Sequence, residues 1–413
     1  MTILVLTLSL AGVLPSEASN GKRWSVDLHE YGYHRKEAGV RYSYPSETRV
    51  AATKEVIAVA IGNMAPAVQV DERHNMKKSP IELSLLFFDA SNGKLRAKRG
   101  PWSSDSSFEL SPTSRGNFLL HLRHHHGSNA EQSESLCLLS PSGEEIKRRD
   151  LAPLTNDQKS GSYYVLHSPS RGTSLLKWFD GDVFHYQVFD ANTLETQVEW
   201  TESKGSPSVI AISDKELLGF REPRENDERA STKRKMELFV RTLDGAWRSL
   251  PVNLEVSHSG AGFGMDRGDI FAPDHTMFLS GHLLAGLVSG EESSPVLKVV
   301  QTDGTIVFSG KIEDAGAMAV VPDGRYFGLV YASQSAFDRW LGGWIDMQVW
   351  PYMAYLSVWR VSNPAQAAKL SLGRNVGDYC FSPDGSQFAY VDGGSLKVIP
   401  MPIPPDTSVP RPH

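Results

Sequence analysis

The densest group of chemically capable side chains is a histidine run, His121 followed by His124, His125 and His126. A metal site needs three or four converging ligands, each oriented by a further partner. On a strand, His121, Arg123 and His125 share one face and His124 and His126 the other. The run leads into Gly127-Ser128-Asn129, which reads as a polar loop. No metal is therefore assigned, with these four histidines as the candidates; no cofactor is predicted, and calcium or zinc are the ions left open. No G-x-S-x-G occurs, so no catalytic residue is assigned. Ser257–Gly264 is glycine-rich, but no Lys-Ser/Thr follows it, and it reads as a connection rather than a phosphate loop. Asp266, Asp269 and Asp274 are close in sequence without a recognisable catalytic spacing. No C-x-x-C-H haem signature is present.

A second concentration is aromatic. Positions 337–355 contain Trp340, Trp344, Trp350, Tyr352 and Tyr355, with Trp359 just beyond. Trp and Tyr join a large apolar surface to one polar handle, which suits them to interface anchoring or sugar stacking. These five residues of 337–355 are the candidate binding residues. The bland alternative is that Trp340 and Trp344, four apart, share one inward face of a short helix. The mixed-charge stretch 221–235 reads as a solvated loop.

What must position these groups is a repeated hairpin. CFSPDGSQFAY at 380–390 is an apolar run, a Pro-Asp-Gly turn and a second apolar run. Pro presets the first central position of a type I turn, Asp suits the next, and Gly closes it. Related segments lie at 50–60, 110–120, 166–172, 210–220, 270–279 and 320–330. After each comes a second pair of strands around a polar turn, as at Asp89-Ala90-Ser91-Asn92-Gly93 and Thr302-Asp303-Gly304. Six intervals separate Thr53 from Pro383, so the period is about 55 residues, that of four-stranded propeller blades. The last unit lacks its fourth strand, and 23–31 is a spare alternating strand before the first. The expectation is one all-β, seven-bladed β-propeller (six or eight as alternatives), with the N-terminal strand completing the last blade. Closure of that kind removes exposed sheet edges.

The FSPDG-x-x-FAY pattern at 381–390 resembles the blade signature of bacterial WD-repeat-like and YVTN-type propeller proteins. That resemblance implies the fold and little about activity. The Trp-Asp dipeptide of WD repeats is absent from the strand ends, and so is the tryptophan-docking repeat of quinone-dependent dehydrogenases.

The turns after each first and third strand are short. Longer insertions at 64–80, 221–236, 281–295 and 333–353 fall between second and third strands, so they are expected to crowd one face. Variable loops on a rigid scaffold are where binding concentrates. Net charge is −6 over 413 residues, which speaks against a nucleic-acid partner. The apolar run at 3–14 is too short to span a bilayer and fits a secretory signal, despite an n-region without Lys or Arg. Cys137 and Cys380 are far apart in apolar runs and read as two buried thiols. The organisation expected is a signal peptide at 1–19, a propeller at 20–402 and a Pro-rich tail at 403–413. The function expected is a periplasmic or secreted, non-catalytic binding or scaffold propeller. Its partner would be a protein, peptide or glycan, with no nucleic acid and no membrane span. The alternative is a metal-assisted hydrolase or lactonase acting at the axial channel.

Overall fold

The computed structural model describes residues 22–34, 46–64, 68–69, 76–77, 81–104, 108–124, 132–154, 163–180, 183–203, 205–221, 233–257, 277–280, 283–289, 295–311, 317–322, 325–333, 353–361, 366–373 and 375–401. These residues form seven four-stranded antiparallel sheets and one two-residue hairpin, Val68–Gln69 with Met76–Lys77. Blade 1 runs Glu47–Ala52, Val56–Met64, Ile81–Asp89, Leu95–Ser104. Blade 2 runs Phe108–Pro112, Phe118–His124, Gln132–Leu139, Glu145–Leu154. Blade 3 runs Tyr164–His167, Thr173–Asp180, Val183–Asp190, Thr196–Ser203. Blade 4 runs Ser208–Ile212, Glu216–Arg221, Lys233–Thr242, Arg248–Ser257. Blade 5 runs Met277–Ser280, Leu283–Ser289, Pro295–Gln301, Ile306–Lys311, and blade 6 runs Ala317–Val320, Tyr326–Ser333, Met353–Arg360, Gln366–Gly373.

Blade 7 takes its first three strands from the C-terminus, Val376–Phe381, Gln387–Asp392 and Ser395–Pro400. Its fourth is Trp24–Asp27, antiparallel to Ser395–Pro400 with Trp24 opposite Val398. The chain ends are thus joined by a sheet, as the incomplete last unit requires. Trp24 fastens this closure to the next blade by donating its indole N–H to the Ala90 carbonyl at 3.0 Å.

The core is built at the seams between blades. Phe87, Phe108, Phe118 and Leu120 fill the seam between blades 1 and 2. Val50, Ile57, Phe88 and Val398 fill that between blades 7 and 1, and Phe381, Phe388, Leu356 and Val358 that between blades 6 and 7. Each large side chain fully removed from water there contributes about 1.5–3 kcal/mol. Blades 1, 2, 3, 6 and 7 are apolar on both faces, because both faces meet a neighbour.

Several of the expectations need amending or fall outside this description. In blade 5, Met277–Ser280 pairs with Leu283–Ser289, so the first hairpin closes across 281–282 and not at the Pro273-Asp274 turn. The 281–295 insertion is correspondingly mostly strand. A Pro-Asp signal marks a turn but does not say which flanking runs pair, and the β-prone runs on either side of 281–282 pair across the shortest closure. In blade 4 the third strand starts at Lys233, inside the expected loop. The N-terminal run at 1–19 and the tail at 403–413 lie outside the described residues. So do Trp340, Trp344, Trp350, Tyr352, His125 and His126.

Candidate functional site

The first strands of six blades converge on one cavity of about 410 Å³ along the axis of the ring. It is charged on one side and apolar on the other. Blades 7, 1, 2 and 3 contribute Asp378, Arg49, Glu109, Ser111, His167 and Arg171, while blades 4 and 6 contribute Ile210, Ile212, Ala319 and Val320. The volume lies within the range of small-molecule sites.

Strand alternation decides what reaches this channel. In Phe108–Pro112 the side chains of Phe108 and Leu110 go to the seam with blade 1. Glu109 and Ser111 consequently turn toward blade 3. In the second strand, His121 lies opposite Glu109. His121 is buried; its Nε2 is 2.7 Å from Glu134 Oε2 and its Nδ1 is 3.9 Å from Glu109 Oε2. The Tyr163 amide of blade 3 donates to the other Glu134 oxygen at 3.3 Å. Burial opposes protonation of His121, but Glu109 and Glu134 outweigh it and hold its pKa above the ordinary value. His121, named as a metal candidate, is thus engaged by two carboxylates. His124 stands opposite Ser133 on the edge of the same strand pair. Among the described residues, no group of three or more His, Cys, Asp or Glu is arranged to hold a metal ion.

A second polar line crosses the same seam. Ser111 Oγ lies 2.7 Å from His167 Nε2, and His167 Nδ1 lies 2.8 Å from Ser174 Oγ. A hydroxyl beside an imidazole that a third group holds is the outline of an activated nucleophile. The chemistry fails on the base. Burial first, and then Arg171, push the His167 pKa down to about 3. The third group is a hydroxyl, with no charge to stabilise an imidazolium. At neutral pH the line works as a hydrogen-bonded fastening between blades 2 and 3.

Arg171 is the anomaly of the channel. It occupies the turn Ser168-Pro169-Ser170-Arg171, closed by its own N–H on the Ser168 carbonyl at 2.9 Å. The same closure is made by Gly385 on Ser382 in blade 7 and by Gly116 on Thr113 in blade 2. Those glycines have φ of 69° and 82°; Arg171 takes the position with φ of 62°. A left-handed backbone costs an L-residue roughly 1–2 kcal/mol, which glycine avoids. Its charge is felt across the channel. Burial and the Asp378 carboxylate push the Cys380 thiol far above its ordinary value, and Arg171 pulls against them. Asp378 in turn accepts the Val50 amide of blade 1. Arg49 donates to Glu47 at 2.6 Å and to the Thr48 carbonyl at 2.9 Å.

The aromatic candidates are represented by one residue. Tyr355 is half-buried, directly opposite Tyr331 in the sheet, with ring centroids 5.8 Å apart and Lys369 Nζ 5.2 Å above its ring. Trp359 is a seam residue, 5.9 Å from Phe308 of blade 5. Both cysteines are unpaired; Cys137 is buried, and Cys380 is half-buried against the channel. Sequence reasoning missed Glu109, Ser111, His167, Arg171 and Asp378. The one local signal was Arg171, a bulky residue where the matching turns of blades 2 and 7 carry Gly116 and Gly385.

The chain is a single all-β propeller. Among solved structures it is similar to the β-propeller domain of the Trilobed protease from Pyrococcus furiosus, at 10% identity over 84% of this chain and 88% of that one, with a TM-score of 0.49. It is also similar to an uncharacterized protein from Listeria monocytogenes (11% identity, 88% and 96% covered, TM-score 0.46) and to BamB from Moraxella catarrhalis (11%, 89% and 90%, TM-score 0.37). At these identities and scores no function is transferred, and the fold assignment rests on the sheet topology. No family model matches the chain, and no curated protein does.

Proposed function

We propose that the protein is an exported, non-catalytic binding or scaffold propeller acting in the periplasm or outside the cell on a protein, peptide or glycan. The supporting observation is an asymmetry between the two ends of the ring. Turns joining first to second and third to fourth strands are short, as at 53–55, 90–94 and 213–215. Connections joining second to third strands, at 65–80, 125–131, 222–232 and 334–352, all leave from the opposite end. Short turns hold the scaffold, and long connections at one end supply a contact surface. The reading assigns Trp340, Trp344, Trp350, Tyr352 and Tyr355 as anchors and the apolar 3–14 run as the export signal. No helix of the described residues is long and apolar enough to cross a membrane. A hydrolase at the channel has less support, because the Ser111–His167 pair lacks a usable base.

The test is crosslinking in the native host with wild type and a variant carrying Trp340→Ala, Trp344→Ala, Trp350→Ala and Tyr352→Ala. Loss of the crosslinked partner at an unchanged melting temperature is expected. Retention of the partner overturns the anchors. Mass spectrometry of the mature N-terminus tests export: cleavage near position 19 is expected, and an intact Met1 overturns it.

A further inference from the structure

We propose that the outer edge of blade 5 pairs with the same edge of a second copy of the chain, joining two rings through one continuous sheet. This edge lies on the rim of the ring, away from the end that carries the long connections, so it stands or falls independently of the anchors assigned there. Three observations carry the inference.

The first is what protects the other edges. First strands line the axis, so fourth strands form the rim, where each leaves one row of backbone groups unpaired by its own sheet. A charge or a proline inside such a strand discourages pairing with another chain. The other outer strands each contain one: Lys98, Arg148, Glu199, Pro251, Lys369 and Asp27 in blades 1, 2, 3, 4, 6 and 7. Blade 5 departs from that rule. The run 304–310, Gly-Thr-Ile-Val-Phe-Ser-Gly, carries neither, and the outer strand Ile306–Lys311 has a charged residue only at its last position. The register shift at Val299/Val300 is no substitute, since blades 1, 2, 3 and 6 have a shift at the matching place and are charged as well.

The second is exposure. Thr305, Ile306 and Ser309 are exposed, Ile306 by 54%, so the edge is open to solvent. Among the described residues no strand pairs with its outer side. Thr, Ile, Val and Phe in succession favour strand, and an uncharged run of them on an open edge is a template for another strand. The third decides the occupant. Asp303, which is exposed, precedes the run, and Lys311 ends it. Antiparallel pairing across a two-fold axis sets the acidic end of one copy against the basic end of the other, at both ends of the contact. Parallel pairing would set like charges together. A second copy therefore supplies a matching uncharged run and matching ends at once, and a two-fold contact closes on itself instead of growing into a fibre.

The experiment is sedimentation equilibrium of the full chain. A monomer–dimer equilibrium with a dissociation constant of about 1–100 µM is expected, as for a small interface. Ile306→Lys puts a charge on the edge at an exposed position and should weaken the dimer at least about tenfold at an unchanged melting temperature. Lys311→Glu should weaken it as well, and Asp303→Lys combined with Lys311→Glu should restore it. A wild-type chain that stays monomeric up to about 0.2 mM overturns the proposal, a result that needs no variant to fold. So does a dimer that Ile306→Lys leaves unchanged. A monomeric ring that binds a synthetic 304–311 peptide would assign the edge to a foreign strand, which also overturns pairing between copies. Failure of the charge-reversed double variant to restore the dimer overturns the antiparallel orientation.

Discussion

Blade 2 shows two different solutions on its two faces. Toward blade 1 it presents Phe108, Leu110, Phe118 and Leu120, closed by Phe87 with the Phe87 and Phe118 rings edge to face at 5.7 Å. Toward blade 3 it presents Glu109, Ser111 and His121 near the channel, with Leu119, Leu136 and Leu138 farther out. The apolar seam is stabilised by area and shape. Gly143 illustrates the fit: a Cβ there would sit 2.4 Å from Phe87 Cε2. The polar seam is stabilised only while every buried group keeps its partner, because an uncompensated buried charge costs more than its pair contributes. One strand produces both faces by simple alternation. The difference teaches that buried imidazole and carboxylate contacts join the second and third blades, whereas the charged contacts between the first and second are Arg49 over the Phe108 ring and the exposed Arg99–Glu144 pair.

The largest expected effect tests the apolar side. Phe118→Ala should lower stability by about 3–5 kcal/mol, with a cost that does not vary between pH 5 and 9. Urea unfolding at several pH values checks it; a pH-dependent cost would erase the contrast between the seams.

Glu134→Gln should cost about 1–3 kcal/mol at pH 6, as His121 loses one of its two carboxylates. The folded pKa of His121 is raised, so the stability it contributes is complete below its unfolded value and is lost as pH rises through the folded one. The penalty of Glu134→Gln should therefore shrink toward pH 9. A penalty constant with pH would mean that His121 is not charged in the seam.

His167 works in the opposite direction. Its folded pKa of about 3 lies below the unfolded value, so the unfolded chain takes up a proton first on acidification. Stability from this group is present above the unfolded pKa and is lost as pH falls toward 3. His167→Gln should flatten the acid limb by about 1.4 kcal/mol per pH unit between about pH 6 and 4. Identical limbs for the two proteins would place the titrating group elsewhere.

The smallest effect belongs to the rim of the same seam. Lys147 donates to the Thr193 carbonyl at 2.7 Å but is largely exposed. Lys147→Ala should change stability by less than about 1 kcal/mol, as exposed ionic contacts usually do. A larger loss would show that the polar seam extends to the surface.

Much of the ring was legible because hairpins are local. Pro322 and Pro383-Asp384-Gly385 mark first turns, Asp89–Gly93 marks a second, and strand pairing follows each. The closing role of the N-terminal strand was legible as well, since a missing fourth strand and a spare one leave a single economical pairing. Blade 5 was misplaced because its first hairpin is formed by Met277–Ser280 and Leu283–Ser289, beyond the Pro273-Asp274 signal in the sequence. His121 was noticed for the wrong chemistry: its histidine neighbours are adjacent in sequence, but its carboxylate partners are adjacent in the sheet, Glu109 directly across and Glu134 on the next strand.

By itself, then, the sequence determined the repeat, the four-strand unit and the way the ring closes, because each depends on turn residues and on a period of two within a few positions. Only the tertiary structure decided that Glu109, His167, Arg171 and Asp378 share one cavity. They come from three blades separated by up to 269 positions (109 to 378), and what brings them together is the circular packing of whole sheets, to which the spacing of residues along the chain carries no reference.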